Sequence, residues 1–269
     1  MRQQSSVARL LASAAVAAIL AVGLGGCQTA MSDITGSLSP KAETGGDADP
    51  RRSVDVYGER YRANPKDADA ALLYGQALRA TAQRSQAVAV LEQATIAHPG
   101  NKALLAGYGR ALADNGNFQQ AFDVLTRSHS PDNPDWRLLS VQGTVLDQLG
   151  RHDEARRYYE SALKIVPEEP SVLSNLGLSY VLSRDLPKAE EALRRAYGST
   201  RADARVRQNL GLVVGLQGRF AEAESIVKAD LPAEEAAANV AYLKQLLSRK
   251  DSPRNGAGTV PVASLSRPN

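Results

Sequence analysis

The stretch WRLLSVQGTVLDQLGRHDEARRYYESALKIVPEE, Trp136 to Glu169, decides the fold. Its first half places Leu139, Gly143 and Leu146 on one helical face and then breaks at Leu149-Gly150-Arg151, a turn signal. Its second half resumes the helical spacing through Ala155, Tyr159 and Ala162 and stops at Pro167, because proline has no backbone N–H and clashes with the preceding turn. The stretch therefore reads as two antiparallel helices in 34 residues.

The same pattern recurs on both sides. Gly75, Gly109, Gly143, Gly177 and Gly211 stand 34 residues apart, and Ala87, Ala121, Ala155, Ala189 and Ala223 follow in phase. Counted from the start of each unit, the glycine is position 8 and the alanine position 20. Both must be small where the second helix crosses the first, since a larger side chain would push the pair apart. Position 24 is bulky (Leu91, Leu125, Tyr159, Leu193, Val227), position 27 is small in three units (Ala94, Ala162, Ala196), and Pro99 and Pro167 close two second helices. A period of 34 residues in helix pairs is the mark of the tetratricopeptide repeat. The expected fold is all-α, a right-handed superhelical solenoid of about five and a half helix pairs with a C-terminal capping helix.

The units are expected at 68–101, 102–135, 136–169, 170–203 and 204–232. Turns end the first helices at Asn115-Gly116-Asn117, Leu149-Gly150-Arg151 and Gln217-Gly218-Arg219; the fourth unit has Asp185 and Pro187 instead. The second unit departs from the pattern with Ser128 at position 27 and its proline slipped to Pro134. The fifth has Asp230 at position 27, so its second helix should be short or differently partnered. Pro65, in phase with Pro99, marks Ser53 to Ala63 as the second helix of a half-repeat, with Tyr57 at the bulky position. Residues 233–250 read as the capping helix, its apolar face being Ala237, Val240, Ala241, Leu243, Leu246 and Leu247; solenoids need such a cap over the last open face. The solenoid as a whole is expected over 52–232.

The N-terminus carries Arg2 and Arg9, an apolar run from Leu10 to Leu24, and the chain's one cysteine, Cys27. That order is a secretory signal peptide over residues 1–26, too short to span a membrane. Leu24-Gly25-Gly26-Cys27 resembles a bacterial lipobox, which implies cleavage before Cys27 and lipid on its thiol. Gln28 rather than Asp at the next position favours the periplasmic face of the outer membrane, where several acyl chains give a stable anchor. Residues 27–51 read as a flexible tether and 251–269, rich in Pro, Gly, Ser and Arg, as a disordered tail. A lone cysteine excludes an intramolecular disulfide, so stability must come from a packed core, which 43% hydrophobic residues can supply.

Charge and composition point away from several function classes. The chain has 32 Lys and Arg against 29 Asp and Glu, and the signal peptide removes two of the cations, so nucleic-acid binding is disfavoured. His98, His129 and His152 share no face and have no cysteine at ligand spacing, so neither a metal nor a cofactor is expected. Glu190-Glu191 and Glu234-Glu235 are adjacent, so each pair diverges on its helix and suits the helix dipole rather than acid–base chemistry. No nucleophile–base set emerges, and no enzyme activity is expected.

First helices line the concave face of such a solenoid. The residues expected there are Gln76 and Arg79, Arg110, Arg137 and Asp147, Asn175 and Leu178, and Arg205, Asn209 and Leu212. Arginines can grip a carboxylate with two parallel bonds, and the amides of Asn175 and Asn209 can either serve a peptide backbone or bridge neighbouring repeats. The mixture of charge and leucine suits an extended peptide or a partner helix.

Several segments resemble the TadD family of tetratricopeptide lipoproteins, which act in assembly of tight-adherence (Flp) pili. They include Ala87 to Ala94, Tyr108 to Leu112, Pro134 to Leu138, Gly143 to Gly150, Asn175 to Tyr180, Arg207 to Leu210 and Asn239 to Leu243. Pro134-Asp135-Trp136 and the capping segment lie outside the repeat consensus and carry most of the resemblance. It implies a pilotin-like role toward the secretin or another pilus component as protein partner. The rival is a lipoprotein adaptor for periplasmic proteases or peptidoglycan enzymes.

Overall fold

The computed structural model describes residues 49–251 apart from Pro131 and Asn133. The signal peptide, Cys27 and the tail beyond Asp251 lie outside the described residues. Twelve helices make up the described part: α1 (Pro50–Ala63), α2 (Ala68–Ala80), α3 (Arg84–Ala97), α4 (Lys102–Asp114), α5 (Phe118–Ser128), α6 (Trp136–Gln148), α7 (His152–Ile165), α8 (Pro170–Leu182), α9 (Leu186–Tyr197), α10 (Ala204–Leu216), α11 (Phe220–Val227) and α12 (Ala233–Asp251). The fold is an all-α tetratricopeptide solenoid, with α1 as a half-repeat, five pairs from α2 to α11, and α12 closing the end.

The chemistry of each boundary repeats with the sequence period. The last residue of each unit caps the next first helix: the side chains of Asp67, Asn101, Asp135 and Asp203 each accept from backbone N–H groups of the first turn. Glu169 departs from this. Pro170 occupies the first helical position, and the Glu169 carboxylate instead takes Ser171 Oγ at 2.9 Å and Arg201 Nη1 at 2.8 Å. Asp49 caps α1 with Pro50 at its first position, so the half-repeat helix starts three residues before Ser53 and claims the last two residues assigned to the tether. Position 15 of every unit takes the left-handed conformation that reverses the chain: Gly116, Gly150 and Gly218, but also Ala82 at φ 58° and Arg184 at φ 62°.

Within each pair, the bulky residue at position 24 lies on the glycine at position 8. A Cβ built on Gly143 would stand 2.6 Å from the Tyr159 ring, and one on Gly109 2.6 Å from Leu125 Cγ. The small residue at position 20 is thus not what presses on the glycine; its side chain is buried close by, with Ala155 fully covered. Consecutive pairs stack so that successive first helices touch one another. This puts the first helices on the inner face. The core lies between the two layers of helices in four buried clusters, with Leu78, Leu91, Leu112 and Leu125 in one, Leu146 and Tyr159 in the next, Leu193 and Leu210 in a third and Leu173 in a fourth; half-buried Phe122, Tyr180 and Leu163 each pack against two of them.

The two irregular units end as their chemistry dictates. Helix α5 stops at Ser128, whose buried hydroxyl donates back to Leu125 O at 2.6 Å, and the chain leaves extended at His129. Helix α11 has 8 residues, and Arg207 clasps Asp230 with two bonds just beyond it. On α12 the buried residues are Ala236 and Leu243, with Val240 and Leu247 half-covered. Leu246 is half-covered too, and Leu243 seats against Gly215 of α10; of the face read in the sequence only Ala237 and Ala241 are exposed, with Ala236 buried in their place.

Candidate protein-binding groove

The inner face presents the residues named above in three different situations. Gln76 and Arg137 are exposed. The Arg137 guanidinium carbon lies over the Trp136 ring, 4.5 Å from its centroid. Arg79, Arg110, Leu178, Arg205, Asn209 and Leu212 are half-buried, and Asp147 and Asn175 are buried.

Several of these side chains bind the repeats to each other. Arg79 Nε donates to Asp114 Oδ2 at 2.5 Å, joining units one and two. Asn175 Nδ2 donates to Ser140 Oγ at 3.2 Å and Asn209 Nδ2 to Ser174 Oγ at 2.9 Å. Asp147 accepts from Tyr159 OH at 3.0 Å and from Ser179 Oγ at 2.8 Å, and lies 2.9 Å from His152 Nδ1. Burial raises the Asp147 carboxyl above its ordinary value, against these hydrogen bonds. Burial, with Asp147 beside it, pushes the Tyr159 phenol up. Asp147, His152 and Ser179 have the composition of a hydrolase triad without its wiring: the serine and histidine both meet Asp147 Oδ1, so the imidazole does not activate the hydroxyl. Among the described residues, no three or more His, Cys, Asp or Glu side chains are grouped to hold a metal.

The geometry that the residues above do not account for is a cavity of about 380 Å³ at the start of the groove. It crosses three consecutive units. Leu72 and Gln76 of α2, Lys102, Ala106 and Arg110 of α4, and Leu138 of α6 line it, along with Ser128 at the end of α5, His129 and Ser130 just beyond it, and the cap Asp135. Gln76 and Arg110 are thus brought together, while Asn175, Leu178, Arg205, Asn209 and Leu212 lie further along the array. Burial lowers the Arg110 guanidinium to about 10, helped by the like charge of Arg79. It remains a cation at neutral pH.

His129, Ser130 and Leu72 were not legible as groove residues in the sequence. A signal was present: Ser128 in place of the small residue and the proline displaced to Pro134 mark the unit whose second helix stops early. That early stop is what opens the wall of the cavity.

This arrangement, an array of helix pairs with a polar, partly apolar inner face, defines a protein-interaction scaffold. A model of the tetratricopeptide repeat matches residues 77–134 and 140–204. Among curated proteins, the BBSome complex member BBS4 of Bos taurus is 25% identical over 138 residues, covering 51% of this chain and 27% of that protein. The cytochrome c-type biogenesis protein CycH of Bradyrhizobium diazoefficiens is 30% identical over 145 residues, 52% of this chain and 38% of the relative. The chain thus spans well under half the length of these relatives. Among solved structures, PilW, a type IV pilus biogenesis factor, superposes with a TM-score of 0.63 at 16% identity, over 72% of this chain and 91% of that one. No helix among the described residues is long and apolar enough to cross a membrane.

Proposed function

We propose that this chain is a non-enzymatic, lipid-anchored scaffold of the bacterial envelope that holds a segment of a pilus-assembly protein in its concave groove. The secretin of a tight-adherence (Flp) pilus is the first partner to test. The observation that carries the pilus reading is the resemblance of Pro134-Asp135-Trp136 to the TadD family; Pro134 and Trp136 fall outside the repeat pattern, while Asp135 holds the capping position that recurs in other units. Here Asp135 caps α6 and borders the groove cavity, and Trp136 supports Arg137 beside it. The likeness in fold to PilW supports the architecture and does not by itself speak to the pilus.

The mechanism requires no bond to be made or broken. Lipid on Cys27 would keep the array at the inner leaflet of the outer membrane, and residues 28–48 would let it stand off the surface. A partner segment caught in the groove would then be held at high effective concentration where the secretin assembles.

The test is a crosslinking pull-down of the full chain from membranes, paired with a count of pili in a deletion strain. Recovery of a secretin or another pilus component, with loss of pili, is expected. Recovery of periplasmic proteases or peptidoglycan enzymes with intact pili would overturn the reading in favour of an adaptor. Cys27→Ser should move the protein out of the membrane fraction; retention there would remove the lipid anchor from the proposal.

A further inference from the structure

A second cleft lies between units three and four, away from the inner face. Helix α8 packs against both α7 and α9. Between those two second helices is a cavity of about 340 Å³, with Leu176 and Tyr180 of α8, Leu163 of α7 and Ala192 of α9 as its apolar lining. Its rims belong to second helices, so it opens on the outer face.

The charges on those rims are unevenly spent. Lys188 Nζ lies 3.1 Å from Asp185 Oδ2, and Arg195 Nη2 lies 2.5 Å from Glu168 Oε1. Arg156, 5.0 Å from the centroid of the Tyr180 ring, is bonded to Asp153. Glu160, Glu191 and Lys164 are exposed on the rims and form no salt bridge or hydrogen bond among the described residues. Glu191 acts on Arg195 across space alone. The unspent charge of the cleft is therefore two carboxylates against one ammonium.

Residues 252–269 carry the matching chemistry. Their ionisable side chains are Arg254 and Arg267, and their bulky apolar ones are Val260, Val262 and Leu265, with Pro261 between the valines. An apolar segment built around proline suits an aromatic-lined cleft, because its backbone is already restricted and loses little freedom on docking. Residues 28–48 suit it less: they carry Asp33, Glu43 and Asp47 against Lys41, and they join the array at α1, at the other end. Helix α12 packs on α10, and α10 on α9. Two helix spacings of about 8–10 Å each and up to the length of α12, roughly 28 Å, thus separate Asp251 from the cleft. The chain from Asp251 to Val262 can span roughly 36 Å.

We propose that residues 252–269 of this chain dock into the outer cleft between α7 and α9. Val260, Val262 and Leu265 pack on Leu163, Leu176 and Tyr180, and the two arginines lie toward Glu160 and Glu191. Because the segment is tethered, it meets the cleft at an effective concentration on the order of millimolar, so a shallow contact suffices. The docked segment covers apolar surface that the repeats leave open on the outer face. The inference is independent of the inner groove and of the partner held there.

The experiment uses the full chain in detergent micelles, with leucine and valine methyl groups labelled for NMR. Nuclear Overhauser contacts from the Val262 or Leu265 methyls to Leu163, Leu176 or the Tyr180 ring are expected. Val262→Asp/Leu265→Asp should abolish them and shift the Leu163 and Leu176 methyl signals. Glu160→Lys/Glu191→Lys should reduce the docked population at least about threefold, the scale of exposed ion pairs. Adding Arg254→Glu/Arg267→Glu to that variant should restore it, which a damaged fold would not allow. Leu163 and Leu176 signals identical in the parent and in Val262→Asp/Leu265→Asp overturn the proposal. Contacts from residues 28–48 in place of 252–269 overturn it too. Contacts found only between differently labelled copies make a second molecule the occupant and overturn docking within the chain. Charge reversal without effect overturns the assignment of the arginines to Glu160 and Glu191.

Discussion

Asn175 donates its side-chain amide to Ser140 Oγ at 3.2 Å across the boundary between two repeats, 35 residues apart. The same bond recurs one unit later, from Asn209 to Ser174 at 2.9 Å. Arg79 and Asp114 also sit 35 apart at 2.5 Å. The inner face is therefore stitched at these three points by side chains that the sequence placed on the groove, the two asparagines among them being readable there either as peptide donors or as bridges between repeats. Asn175→Ala should cost about 1–2 kcal/mol, because it removes a buried hydrogen bond and leaves Ser140 without that partner. Urea unfolding of the single and double variants with Ser140→Ala checks this: the two losses should fall short of adding. Unchanged stability with lost partner binding would assign the amide to the ligand instead.

The contact of Tyr159 with Gly143 predicts which small change the array cannot absorb. Gly143→Ala would drive a methyl into a fully buried ring that is also held through its hydroxyl by Asp147. A destabilisation of about 1–3 kcal/mol is expected despite alanine's better helix propensity. Gly100→Ala, where an added methyl meets nothing within 4 Å, should stay within about 0.5 kcal/mol of the parent. Thermal melts of the two variants should separate clearly; similar midpoints would mean that Tyr159 moves aside.

Position 15 predicts a gain. Ala82 and Arg184 occupy the left-handed conformation at the turn where other units use glycine. A non-glycine residue is disfavoured there by roughly 1–2 kcal/mol, part of which glycine returns to the flexibility of the unfolded chain. Ala82→Gly and Arg184→Gly should each raise stability by up to about 1 kcal/mol. A loss in either variant would contradict the turn geometry.

Glu190 predicts a pH dependence. It takes Arg219 at 2.5 Å, Arg194 Nε at 2.7 Å and Gln217 Nε2 at 2.9 Å, and the Arg219 bond leads in holding its carboxyl at about 2 against an ordinary 4.5. The folded state thus binds this proton less readily than the unfolded state. The contribution is complete above about pH 4.5 and is lost as pH falls from there toward 2. Glu190→Gln should therefore show a smaller drop in melting temperature between pH 7 and pH 3 than the parent chain. An equal drop would place the acid sensitivity elsewhere.

The repeat was legible from the sequence because its chemistry is local and periodic. Gly143 with Tyr159, Gly150 in the turn and Pro167 at the stop are each read within one unit, and five copies in phase leave one fold class. The use of the polar inner-face residues was not legible. Whether Asn209 faces a ligand or Ser174 depends on how two units stack, and stacking brings together residues one repeat apart, whose pairing no local pattern records. The cavity at Arg110 and His129 needs more still: three units, a helix that stops early at Ser128, and Gln142 turned by Thr126. Local propensity and period determined the helices and their pairing. Tertiary packing alone decided which side chains were consumed in holding the array together and which buried polar atoms among the described residues, Arg110 Nε and His129 Nδ1, were left without a partner, because hydrogen-bond satisfaction belongs to the folded neighbourhood and not to the chain.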